Sequence, residues 1–353
     1  MNRALSIRNA VIALAGFVAL HSPALADAHS TKTQPPGSTN LTLINGWKNS
    51  PFGTAKASAS LIHGIVHLKG AISTTGTNHE PFVMPVTMRP PANAYVKVDM
   101  CGSTNGRLLV TAAGDVIVQA RSDFGNAQCF TSLDGVSFAV SSDGFKSLTM
   151  KHGWTGATGT GTSIPAAKVV DGIVHLQGFM STSGSSAVPF VLPAKFRPLA
   201  KVYVPVDMCS ASNGRVVIET DGTTTVQAEE GFSFAQCGTS LEGATFPVAG
   251  GFTALSLTNG WVRYSDTSSA PGIRMISGVV HFQGAMSDGN SGFAFTLPVG
   301  FRPAKPVYVP VDLCFGKNGR FFIDVNGNVT VFAEHDFTDA QCFTSLEGVS
   351  FRP

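Results

Sequence analysis

From about residue 40 onward, short runs of Val, Ile, Leu and Phe alternate with Gly, Asn, Asp and Pro, and no stretch sustains helical spacing. In Tyr95-Val-Lys-Val-Asp-Met-Cys101 the period is two: Val96, Val98 and Met100 share one face, and Tyr95, Lys97, Asp99 and Cys101 the other. Two later runs of the same design carry Pro205 and Pro310 where this one has Lys97. Proline cannot donate to a ladder, so the strand is predicted at a sheet edge or with a bulge. Asn105-Gly106, Asn213-Gly214 and Asn318-Gly319 read as turns. About seven or eight short strands in roughly 105 residues is the density of a sandwich or jelly roll.

The runs recur in order. Trp47, Trp154 and Trp261 are separated by two steps of 107, each preceded by a Leu-rich run and a glycine. After them come Gly64-Ile-Val-His-Leu-Lys-Gly, Gly172-Ile-Val-His-Leu-Gln-Gly and Gly278-Val-Val-His-Phe-Gln-Gly. Then follow Met84-Pro-Val-Thr-Met-Arg-Pro, Leu192-Pro-Ala-Lys-Phe-Arg-Pro and Leu297-Pro-Val-Gly-Phe-Arg-Pro, and each unit closes on Phe138, Phe246 or Phe351. This is a tandem triplication. The expected fold is all-β: three tandem β-sandwich, jelly-roll-like domains at 40–140, 147–248 and 254–353. Packing around an intramolecular pseudo-threefold axis is the sharper expectation, and three beads in a row the alternative.

Arg3 and Arg8 precede the apolar run Ala10 to Leu20, and Ala24-Leu25-Ala26 offers small-residue cleavage. Residues 1–26 are therefore expected to be a signal peptide, followed by a flexible segment at 27–39, and the chain to be exported, periplasmic or extracellular. No later stretch approaches 18 consecutive apolar residues, so membrane insertion is not expected. Lys+Arg number 24 against 22 Asp+Glu, and removing Arg3 and Arg8 leaves the two signs equal. A neutral exported chain has no electrostatic reason to bind nucleic acid.

The six cysteines fall into Cys101/Cys129, Cys209/Cys237 and Cys314/Cys342, each pair 28 residues apart. They allow fifteen pairings, and the repeat favours one disulfide inside each unit. Metal binding is the competing reading, opposed by the lack of any C-x-x-C spacing.

Other chemistry is sparse. His67, His175 and His281 recur in the G-(I/V)-V-H strand; around a threefold axis they would converge and bind a metal or ligand, whereas the structural reading makes them hydrogen-bonded at a sheet surface or domain contact. Asp99, Asp207 and Asp312 recur with Arg107, Arg215 and Arg320, as ion pairs bracing a turn within each unit or as an exposed set for sugar hydroxyls. The three tryptophans could stack on sugar rings, although their place after a tight turn suits core packing better. Arg89, Arg197 and Arg302 suit loop-tying roles. There is no G-x-S-x-G elbow, H-E-x-x-H, Walker loop or dinucleotide fingerprint, so an enzyme is not expected, and no cofactor is implied.

The ordered motifs L-x-N-G-W, G-x-V-x-L-x-G, L-P-x-x-F-R-P and S-L-x-G-(I/V)-x-F resemble β-rich modules at the distal ends of phage tail fibres and related receptor-binding proteins. The resemblance spans nearly all of each unit. It implies a β-sandwich or barrel head that recognises a cell-surface polymer, often glycan, usually as a homotrimer. The signal peptide and paired cysteines depart from that pattern, and no ligand-contacting residue carries over. The resulting expectation is a secreted, non-enzymatic, adhesin-like protein binding surface glycan or polysaccharide through its repeats. A structural envelope or matrix protein with a protein partner or self-association is the alternative, and a secreted hydrolase the third.

Overall fold

The structure, a computed structural model, describes residues 37–156 and 158–353. The expected signal peptide and most of the segment at 27–39 lie outside the described residues. Each unit holds three antiparallel sheets. In the first unit one sheet orders Thr39–Asn40, Ser58–Ile62, Ile65–Lys69 and Ser137–Ala139 side by side; a second orders Thr131–Ser132, Ala71–Ser73 and Lys48–Asn49. A third orders Phe82–Val83, Asp115–Ala120, Asn105–Val110 and Ala94–Asp99. The other two units repeat these orders strand for strand. Ala94–Asp99 and its counterparts Val202–Asp207 and Val307–Asp312 are sheet edges, where Pro205 and Pro310 interrupt no ladder.

The two-residue alternation builds the cores. Val96, Val98 and Met100 are buried with Val66, Leu68, Phe82, Leu108, Val118 and Phe138, and the other units bury the equivalent set. Each such Val, Leu or Phe stabilises by about 1.5–3 kcal/mol. The first sheet turns tightly between Ser58–Ile62 and Ile65–Lys69. His63 and Gly64 both have positive φ, 48° and 84°, the signature of a type I′ turn that the Gly at the second position favours. The spacing concealed one element per unit: a short helix, Phe124–Cys129, Phe232–Cys237 or Phe337–Cys342, carries the second cysteine. Six residues are too few to display a helical period. The disulfides Cys101–Cys129, Cys209–Cys237 and Cys314–Cys342 close within units, with Cα–Cα distances of 5.8, 5.7 and 5.7 Å. Three such bonds suit an oxidising compartment, extracellular or periplasmic.

The Asn-Gly pairs are not turns. Asn105, Asn213 and Asn318 open strands, and each glycine makes room for a core side chain: a Cβ on Gly106 would collide with Met100 Cε.

The described residues form one compact unit, and the contacts between the three repeats close into a ring. Ser240 Oγ donates to Tyr95 O, Ser345 Oγ to Tyr203 O and Ser132 Oγ to Tyr308 O, each at 2.6 Å. The third repeat thus meets the first as the first meets the second, and the arrangement is a pseudo-trimer rather than a row of beads.

Candidate functional site

Three equivalent strands meet at the pseudo-threefold axis, so the polar face of Ala94–Asp99 is covered by the other units rather than presented to solvent. Arg107 Nη1 donates to Asp207 Oδ2 at 3.0 Å, Arg215 to Asp312 at 2.9 Å and Arg320 to Asp99 at 3.2 Å. These pairs join neighbouring units, which corrects the expectation of a brace inside each unit. Burial pushes the carboxyls of Asp99, Asp207 and Asp312 up to about 7, 6 and 6 even beside their arginines. All three carboxylates are enclosed and cannot meet a sugar hydroxyl.

The tryptophans are core residues as well. Trp47, Trp154 and Trp261 are 5, 3 and 3% exposed. Their Nε1 atoms donate to Asn78 O, Ser186 O and Ser291 O at 2.9, 2.8 and 2.8 Å. An indole enclosed in this way offers no face for stacking. Arg89, Arg197 and Arg302 tie loops as expected, through Nε to Met84 O, Leu192 O and Leu297 O.

His67, His175 and His281 do converge. With Ile65, Ile173 and Val279 they line an axial cavity of about 20 Å³, room for one water-sized occupant. Burial holds all three imidazoles below their ordinary range, His175 at about 3 and His281 at about 4; His67 is lowered further by His175 and His281. Among the described residues no group of His, Cys, Asp or Glu is placed to hold a metal ion.

A neutral buried histidine binds fewer protons folded than unfolded below its ordinary pKa, so its stability contribution is complete above about pH 6.5 and is lost as pH falls. Replacing His175 by Gln should therefore shift the unfolding free energy relative to wild type by about 2–3 kcal/mol in the variant's favour between pH 7.5 and 4.5. Denaturant titrations at the two pH values measure this. The buried acids Asp134, Glu242 and Glu347, raised to about 7, 7 and 8, act in the opposite sense in both proteins and cancel in the difference.

Outside this cavity, three type I′ turns bring His63, Asp171 and Ser277 together. Ser277 Oγ donates to Asp171 Oδ2 at 2.8 Å, and His63 Nδ1 contacts the same oxygen at 2.7 Å. Ser277 and His63 thus meet the carboxylate rather than each other. The serine bond holds Asp171 below the usual carboxylate range, a weak base for activating a hydroxyl.

Open surface with polar and aromatic character lies between units. At the boundary of the second and third, Tyr203, Tyr264 and Phe343 form a cluster with ring centroids 4.7–6.5 Å apart, and with Arg215, Gln227 and Phe315 they line a groove of about 190 Å³. Lys201, paired with Glu219 at 2.6 Å, stands at its side. The groove between the first and second units is larger, about 360 Å³, with Arg107, Gln119, Ser122 and Ser210 beside the stacked rings of His79 and Phe124. At the remaining boundary Phe332 replaces the glutamine and lies against Arg320, whose guanidinium is 5.3 Å from the ring centroid.

Phe315 carries two costs at once. It is 73% exposed, and its φ of 61° is in the left-handed region, where its counterparts are Gly102 and Ser210. A bulky residue there costs on the order of 1–2 kcal/mol. The repeat alignment already carried the signal for it: a phenylalanine where the other two copies have Gly and Ser.

Comparison with known families, with curated proteins and with solved structures gives no match to this chain.

Proposed function

We propose that this is an exported, non-enzymatic recognition protein that binds surface glycan in the grooves between its units, foremost the groove between the second and third. The observation that carries this reading is Phe315, a strained, solvent-facing aromatic over a groove of further aromatics. Neither its strain nor its exposure helps the fold, whereas the apolar face of a pyranose fits an exposed ring. Gln227, Lys201 and the Tyr264 hydroxyl supply hydrogen-bonding groups for the sugar rim. The resemblance to tail-fibre heads supports the same class of ligand. Because the two grooves differ in volume and lining, they are two non-equivalent contacts on one compact body, and avidity arises from their simultaneous engagement with a repeating polymer.

The test is titration of the oxidised chain against a panel of envelope polysaccharides, with free oligosaccharide as competitor. Saturable, sugar-competed binding is expected. Phe315→Ser, which installs the residue of the second unit, should weaken it about tenfold or more while leaving Tm unchanged or raised. Absence of saturable binding, or binding indifferent to both Phe315→Ser and Tyr264→Ala, overturns the proposal. The second reading, assembly with other copies or a protein partner, is favoured by Val86 and Val299, equivalent residues that are 76 and 78% exposed. It predicts sedimentation that shifts with concentration.

A further inference from the structure

Asn105, Asn213 and Asn318 are buried at equivalent positions, and hydrogen bonds on the amide nitrogen fix how each one faces. Nδ2 of each donates to a turn carbonyl of the next unit: Asn105 to Ala211 O at 2.5 Å, Asn213 to Gly316 O at 2.6 Å, Asn318 to Ser103 O at 2.7 Å. Flipping any amide would set carbonyl against carbonyl, so all three Oδ1 atoms must face the axis. Left to themselves, three buried oxygens directed at one point would be costly, because none has a donor. Glu229, Glu334 and the arginine-paired Asp99, Asp207 and Asp312 lie around the place and favour a cation there, offsetting part of the burial that pulls the Lys97 ammonium down to about 8. Converging neutral oxygens in a negative field are a cation's ligand set.

An ammonium fills it. Lys97 Nζ donates to Oδ1 of Asn105, to that of Asn213 at 2.5 Å and to that of Asn318 at 2.7 Å, one bond to each unit. A lysine ammonium has three donors and no acceptor, and here three acceptors are arranged around a threefold axis. Only one copy supplies it, since Pro205 and Pro310 occupy the equivalent positions. A homotrimer repeats every side chain three times and cannot place a single lysine on its axis; a fused chain can.

We propose that the three asparagine oxygens form a monovalent-cation site on the molecular axis, that Lys97 is its tethered occupant, and that with the tether cut the site takes a free cation of ammonium or potassium size. The proposal is independent of the glycan reading.

The test is thermal melting of the full chain carrying Lys97→Ala in ammonium, potassium or tetramethylammonium chloride at matched ionic strength. In tetramethylammonium the variant should melt roughly 5–10 °C below wild type. Ammonium and potassium should restore it saturably while leaving wild type unmoved, and adding Asn318→Ala should abolish the rescue. Equal melting of variant and wild type, or the same deficit in all three salts, overturns the proposal. If Lys97→Ala does not fold in tetramethylammonium, the refolded yield in ammonium reads the same contrast, several-fold recovery supporting the site and none refuting it. In wild type, an amine-reactive reagent should label Lys97 at least tenfold more slowly than Lys48, which is exposed; equal labelling would overturn the assignment.

Discussion

Arg215→Ala should lower the unfolding free energy by about 3–5 kcal/mol, the loss expected when one partner of a buried ion pair is removed. Arg215 makes more than one bond to the third unit: Nη1 donates to Asp312 Oδ2 at 2.9 Å and to Leu313 O at 3.2 Å. Nε is held by Gln227 Oε1 at 2.7 Å, and the guanidinium lies 5.0 Å from the Tyr203 ring centroid and 5.4 Å from that of Phe343. Truncation would leave Asp312 with no partner on Oδ2, where Oδ1 already lacks one. The carboxyl would then escape by taking up a proton. A folded pKa raised above the unfolded value means stability falls as pH rises between the two, so the deficit of Arg215→Ala should be smaller at pH 5 than at pH 8. The double replacement Arg215→Met with Asp312→Leu should recover much of the loss, because it removes both charges instead of orphaning one. The equivalent changes should rank by their surroundings. Arg320 has an unpartnered Nε, with Phe332 where Arg215 has Gln227, so Arg320→Ala should cost less. Denaturant melts of the single and double variants at both pH values decide each point.

These pairs also show what a triplicated sequence reveals and what it hides. The units, the edge strand marked by Pro205 and Pro310, and the disulfides were legible because each depends on spacing within one copy. The partner of Arg107 was not, because Asp99, Asp207 and Asp312 are equivalent in sequence and nothing local distinguishes contact within a unit from contact between units. The asparagines were misread for a related reason. Asn-Gly is a strong hairpin signal, but here the glycine accommodates Met100 and the asparagine serves the axis, a role that exists only once three copies meet. Positions where the copies disagree carry both the proposed groove and the axial lysine. Lys97 against two prolines and Phe315 against Gly and Ser mark places where one unit does something its siblings do not, whereas positions shared by all three mostly serve core and interface.

Trp154 puts that division between shared and unshared positions to the test. Trp154→Ala should destabilise by about 3–5 kcal/mol and leave polysaccharide affinity unchanged in the folded protein. The indole is buried, pairs edge-on with Phe232 at 6.2 Å and donates to Ser186 O at 2.8 Å, while its strand Trp154–Gly156 is hydrogen-bonded to Phe179–Thr182. Removing the ring opens a cavity and strips Ser186 O of its donor. Trp154→Phe should cost less, because it keeps most of the packing and loses mainly that bond, worth about 1 kcal/mol. Affinity must be measured well below the variants' melting temperatures, so that the folded fraction is the same as in wild type. Under those conditions Phe315→Ser should lose binding and keep stability, and Trp154→Ala should do the reverse. If Trp154→Ala instead lost affinity while fully folded, the shared tryptophans rather than the unshared groove residues would carry recognition. The ligand surface would then have to be sought near the Trp154–Gly156 strand.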